Sequence, residues 1–155
     1  MTNVIKSYNI TYYWNASSSV TVASNSPHVT LSSLKSGSNY TITVVTVGAR
    51  GYLSTPVSGS VFTNPTPPRN ISFILIQTNT TTLSWVEPVN MTRVIKSYNI
   101  AYYWNASSPI TVTSNYQNVT LLSLKSGSNY TITVVTVGAR GYLSTPVSGS
   151  VFTKS

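Results

Sequence analysis

The stretch LLSLKSGSNYTITVVTV (residues 121–137) decides the fold. Its second half alternates, so that Tyr130, Ile132 and Val134 lie on one face of an extended chain and Thr131, Thr133 and Val135 on the other. Period-two alternation of β-branched and aromatic residues is the mark of a strand with one buried face. Before it, KSGSN is built from turn formers. The same phrase occurs earlier as LSSLKSGSNYTITVVTV, residues 31–47.

Working outward from that echo, residues 1–63 align with 91–153 without a gap and differ at nine of the 63 positions. From Ser33 and Ser123 onward the copies do not differ at all. The period is 90 residues, too long for a solenoid unit and suited to a domain that folds on its own. Met1 occupies the place of Met91, an interior residue of a loop, so the chain is expected to begin partway through a domain and to be a fragment.

The full period reads as strands throughout. ISFILI and TTLSW are short β-rich runs, and SYNIAYYW places Tyr98, Ile100, Tyr102 and Trp104 on one face. Turn formers separate the runs (EPVN, NASSP, GARGYLSTP), and no stretch carries a helical period of useful length. Short strands at this spacing predict an all-β antiparallel sandwich with Greek-key connections.

Pro65, Pro67 and Pro68, then Trp85 and Pro88 in SWVEP, Tyr98 in SYNIAYY, and LLSLKSGSNYTITV follow one another in an order and spacing that resembles the fibronectin type III domain. The resemblance implies tandem immunoglobulin-like sandwiches, with strands at about 69–76 (A), 81–86 (B), 95–104 (C), 109–113 (C′), 117–122 (E), 129–137 (F) and 146–153 (G). It further implies that Leu124 and Tyr130 form a corner where the tyrosine hydroxyl ties back to the chain. Residues 1–63 are then a partial repeat with strands C to G and without A and B, 64–67 a linker, and 68–155 a complete domain. The first repeat is expected to expose apolar surface and strand edges.

Composition narrows the function. The chain has nine Lys and Arg, one His, no Asp, no Cys, and Glu87 as its only acid. Catalytic dyads, Ser-His-acid triads and metal-ligand clusters cannot be assembled from such a set, so no enzyme activity, cofactor or metal site is expected. His28 has Asn118 as its counterpart and reads as a surface residue. The net charge of +8 comes from missing acids, and the cations stand singly, which argues against a nucleic-acid groove. Mild attraction to an acidic glycan or a membrane surface is still expected of such a charge. Any membrane attachment would come through other parts of a parent chain, because the longest apolar runs fall far short of a span.

In the resembled fold the B–C and F–G loops leave the same pole. That would gather Arg93, Arg140, Tyr142 and Leu143 as a candidate surface for a protein partner, rich in the residue types that interfaces favour. Nine asparagines stand in Asn-x-Ser/Thr, namely Asn9, Asn15, Asn39, Asn70, Asn79, Asn90, Asn105, Asn118 and Asn129. Each is a candidate N-glycosylation site, and together they point to an extracellular or cell-surface setting. An Asn- and Thr-rich chain with many such sites is similar to the repeated ectodomains of receptor-type tyrosine phosphatases. The expected function is a non-catalytic binding or spacer module of a surface receptor or adhesion protein. The alternatives are a structural repeat of a scaffold or filament-associated protein, and a polyanion-binding surface.

Overall fold

The computed structural model describes residues 7–15 and 18–155. Two compact units are formed, Met1–Leu34 with Ser38–Thr63 and Lys35–Gly37 with Asn64–Ser155.

The first unit holds β1 (Ser7–Trp14), β2 (Val20–Ser24), β3 (Asn39–Val47) and β4 (Val57–Phe62) in one antiparallel sheet of order β2-β1-β3-β4. The second holds β5 (Arg69–Ile76), β6 (Thr81–Val86), β7 (Ser97–Trp104), β8 (Ile110–Ser114), β9 (Asn118–Leu121), β10 (Asn129–Val137) and β11 (Val147–Phe152). These make two sheets, β11-β10-β7-β8 and β5-β6-β9. The sandwich expected from the period-two pattern is therefore formed, and its strands fall within two residues of the expected bounds.

Alternation explains the core. Leu83 and Trp85 on β6, Tyr98, Ile100 and Tyr102 on β7, and Tyr130, Ile132 and Val134 on β10 all point between the two sheets and are buried. Trp85 meets the ring of Tyr98 edge-on, with centroids 5.1 Å apart. That geometry sets the positive edge of one ring against the negative face of the other. Burial, helped by the nearby charge of Glu87, pushes the Tyr98 phenol above its ordinary pKa.

The tyrosine corner is present. The Lys125 backbone N–H donates to the Tyr130 hydroxyl at 2.9 Å, and Leu124 is buried beside it. Lys125 also extends its ammonium over the Trp104 ring, 5.3 Å from the centroid.

One expectation fails. Strand E of the first repeat does not form: among the described residues no strand lies between β2 and β3, where residues 27–32 match 117–122 of the second repeat. The cause is pairing. In the second unit β9 is held by β6, with Thr81 opposite Leu121 and Leu83 opposite Val119, and the Trp85 backbone N–H donates to the Gln117 carbonyl. No described strand plays the part of β6 in the first unit, so its segment has no ladder to join. Pro27, in the place of Gln117, removes a donor as well.

Candidate functional site

The loop pole of the second unit is built by β7 and β10. Ser97, where β7 begins, lies opposite Val137, where β10 ends, so residues 87–96 and 138–146 leave the sheet at the same end. The expected grouping of the two loops at one pole rests on that register.

Within the first loop, Met91 and Val94 are buried and act as its anchor. Lys96 donates to the carbonyls of Met91 and Val94 at 3.0 and 3.1 Å and pairs with Glu87 at 2.6 Å. The one acid of the chain is therefore spent on holding this loop. Arg93 stands out from the anchored frame, exposed and at φ +65°.

The second loop is a short 3-10 turn, Ala139–Gly141, closed by the Gly138 N–H donating to the Tyr142 carbonyl at 2.8 Å. Leu143 forms a bridge back to Val137. Arg140 is exposed with φ +58°, and Tyr142 and Leu143 are 44% and 54% exposed. A left-handed backbone is uncommon for a side chain as long as arginine and stores strain of order 1 kcal/mol. Two of the four candidate partner-binding residues carry that strain, and the sequence holds no sign of it, because arginine has no distinctive φ preference.

Eight of the nine asparagines in Asn-x-Ser/Thr are exposed, and Asn9, within β1, is half-buried. Asn15, Asn70, Asn90 and Asn105 lie at positive φ, as suits a residue whose short amide tolerates the left-handed region. Asn105 and Asn129 border one open groove with Tyr103, Trp104 and Thr131. That groove lies at the end of the sheet away from the loop pole, since Trp104 is opposite Tyr130. His28 is exposed and lines an apolar cavity of the first unit.

Among the described residues no group of three or more His, Cys, Asp or Glu could hold a metal ion, and no helix is long and apolar enough to cross a membrane.

Antiparallel Greek-key sheets, a tryptophan packed in the core and a tyrosine corner define the class of immunoglobulin-like β-sandwich modules. Within that class the family profile of the fibronectin type III domain matches residues 1–60 and 66–150. The chain belongs to the fibronectin type III family.

Among solved structures, a two-domain fibronectin type III segment of chicken tenascin is similar at 27% identity and a TM-score of 0.77, over 96% of this chain and 85% of that one. The FN1–FN3 domains of chicken CNTN1 share the fold at 17% identity and a TM-score of 0.51, and this chain spans 56% of that segment. The twitchin kinase region of C. elegans shares it at 23% identity and a TM-score of 0.52, over 58% of this chain and 17% of that one. Domains of this family occur in adhesion and receptor ectodomains and in filament proteins, and are common in extracellular and cell-surface proteins. They typically serve as non-catalytic binding or spacer modules.

Proposed function

We propose that this chain is a binding and spacer segment from the extracellular part of a larger cell-surface receptor or adhesion protein. In this reading the B–C and F–G loops meet a protein partner and N-glycans cover the strand faces. The observation that carries it is the loop pole, where two loops leave the same end of the sheet, one with exposed Arg93 and the other with exposed Arg140, Tyr142 and Leu143, both arginines in a strained backbone. Strain persists where surrounding structure enforces it, and it clusters at sites used for contact. Arg and Tyr also dominate the energetics of protein interfaces. The exposure of eight candidate glycosylation sites supports the extracellular setting.

Secretion from a eukaryotic cell followed by glycosidase digestion tests the setting. Several N-glycans are expected, seen as a mobility shift that the enzyme removes. A secreted chain with no shift would favour the intracellular structural repeat instead.

The polyanion reading draws support from the net charge of +8. Retention on immobilised heparin is expected to be weak and to fall in salt when Arg93 and Arg140 are both changed to serine. Retention that is strong and indifferent to those changes would shift the interaction away from the loop pole.

A further inference from the structure

The outer face of the β11-β10-β7-β8 sheet is polar along most of its length. Thr133 stands between Ala101 and Ser148, and its hydroxyl shares a hydrogen bond with that of Ser148 at 3.2 Å. Among the described residues of these four strands, aromatic side chains turn outward at two places, Tyr103 and Phe152. Alternation sets them there, because their chain neighbours Tyr102 and Val151 are buried on the inner face. Phe152 is 69% exposed and Tyr103 is half-buried. An apolar ring left in water on a polar sheet gains from a cover.

The two rings flank one asparagine. Phe152 is directly opposite Asn129 across the ladder of β10 and β11, and Tyr103 is directly opposite Thr131 across that of β7 and β10. Directly opposed residues on one face have Cβ atoms about 4.5–5.5 Å apart, and diagonal ones about 7–8 Å. Asn129, Tyr130 and Thr131 form one of the Asn-x-Thr motifs, so its asparagine and threonine share the outer face with a ring on either side. Tyr103, Asn129 and Thr131 line one open groove. The first unit repeats the arrangement in the interior of the chain, with Asn39 opposite Phe62 and Thr41 opposite Tyr13. Asn118 shows the contrast: it is exposed on β9 in the same kind of motif, and it faces Ser84.

We propose that Tyr103 and Phe152 are the seat of an N-linked glycan on Asn129, whose first N-acetylglucosamine units lie against the rings. This rests on the extracellular reading above and adds to it that one glycan forms part of the outer layer of the sandwich. A pyranose offers a face of C–H groups and the face of an aromatic ring is negative, so the two stack through weak contacts. A free sugar would scarcely stay on such a seat. Attachment through Asn129 makes the contact intramolecular and supplies the effective concentration that the weak stacking lacks. The glycan also stands beside β11, an edge strand whose unpaired backbone is a template for unwanted pairing. Asn105 borders the same groove, but it lies past the end of β7 at φ +56°, and β10 separates it from Phe152.

The test uses the full chain secreted from a eukaryotic cell, with occupancy at each motif read by mass spectrometry of its peptides. Asn129 is expected to be occupied. Asn129→Gln should lower the melting temperature of the second unit by about 4 °C or more, whereas Asn118→Gln should leave it unchanged. In a chain that also carries Tyr103→Thr and Phe152→Ser, Asn129→Gln should cost nothing further, the sign of a coupled pair. Proton NMR reads the contact without any ring variant: the sugar protons at Asn129 should resonate upfield of those at Asn79, Asn90 and Asn118, through the ring currents. That measurement decides even where the ring variants disturb folding. A secreted chain bearing no glycan overturns the extracellular reading and the seat with it. Three outcomes overturn the seat alone: glycans at other motifs with Asn129 bare, which would leave the rings to a protein partner; equal losses from Asn129→Gln with and without the rings; or no upfield shift.

Discussion

Trp85→Ala is expected to cost the second unit about 3–5 kcal/mol, the range for deleting a large aromatic side chain from a packed core. Trp85 is 4% exposed and meets Tyr98 edge-on, and Leu83, Ile100 and Val134 around it are wholly buried. None of these residues has a longer rotamer with which to fill the space, so collapse of the cavity is limited. A domain of this size has only about 5–15 kcal/mol in total, so the variant stands near the edge of folding. Urea unfolding followed by fluorescence of Trp14 and Trp104 measures the loss. Trp85→Phe keeps the edge-to-face contact in reduced form and should restore more than half of it. A midpoint for the alanine variant within about 1 kcal/mol of the parent would mean that this tryptophan is not the centre of the core.

Glu87→Gln is expected to destabilise the second unit by about 2 kcal/mol. The Lys96 side chain is 10% exposed, and its ammonium has three oxygens around it, two from backbone carbonyls and one from Glu87. Taking away the carboxylate leaves a largely desolvated cation held by neutral dipoles. Breaking a fully buried pair this way costs about 3–5 kcal/mol, and the 33% exposure of the Glu87 side chain lowers the figure here. The double variant Glu87→Gln, Lys96→Met should recover part of the loss, because an apolar chain of similar length needs no counter-charge. Equal stability of single and double variants would count against desolvation as the cause. Because these two residues hold the B–C loop, the single variant is also the one that should loosen Arg93.

Much of this architecture was legible from residue pattern. Strands β6, β7, β10 and β11 each place large apolar or aromatic residues at alternate positions on the inward face, and β7 and β10 stop at Asn105 and Gly138, so much of their extent was set by local chemistry. Trp85, Tyr98, Leu124 and Tyr130 were legible because each is a large residue at a set distance from a turn. Strand E of the first repeat was not. Its residues have strand propensity, but the decision lies with a partner strand, and propensity in a short edge segment is weaker than the ladder it needs. The clamp of Lys96 by Glu87 was equally hidden, since the two are nine residues apart in a loop with no period. At the candidate binding pole the identities were legible and the left-handed backbone of Arg93 and Arg140 was not. The glycosylation motifs are a pattern of sequence alone. Their exposure follows from turns for Asn15, Asn79, Asn90 and Asn105 and from outward-facing strand positions for Asn39, Asn70, Asn118 and Asn129.

Strands β3 and β10 are the same nonapeptide, with the same neighbours paired in the same register. One lies in a sheet with a second sheet against it and the other in a sheet that has none among the described residues. Every property that depends on covalent structure, including the intrinsic rate at which each amide trades its proton for solvent, cancels between them. The molecule therefore carries its own control. A difference in amide protection between the two copies would measure, in one sample and one buffer, what a covering layer adds to a β-sheet.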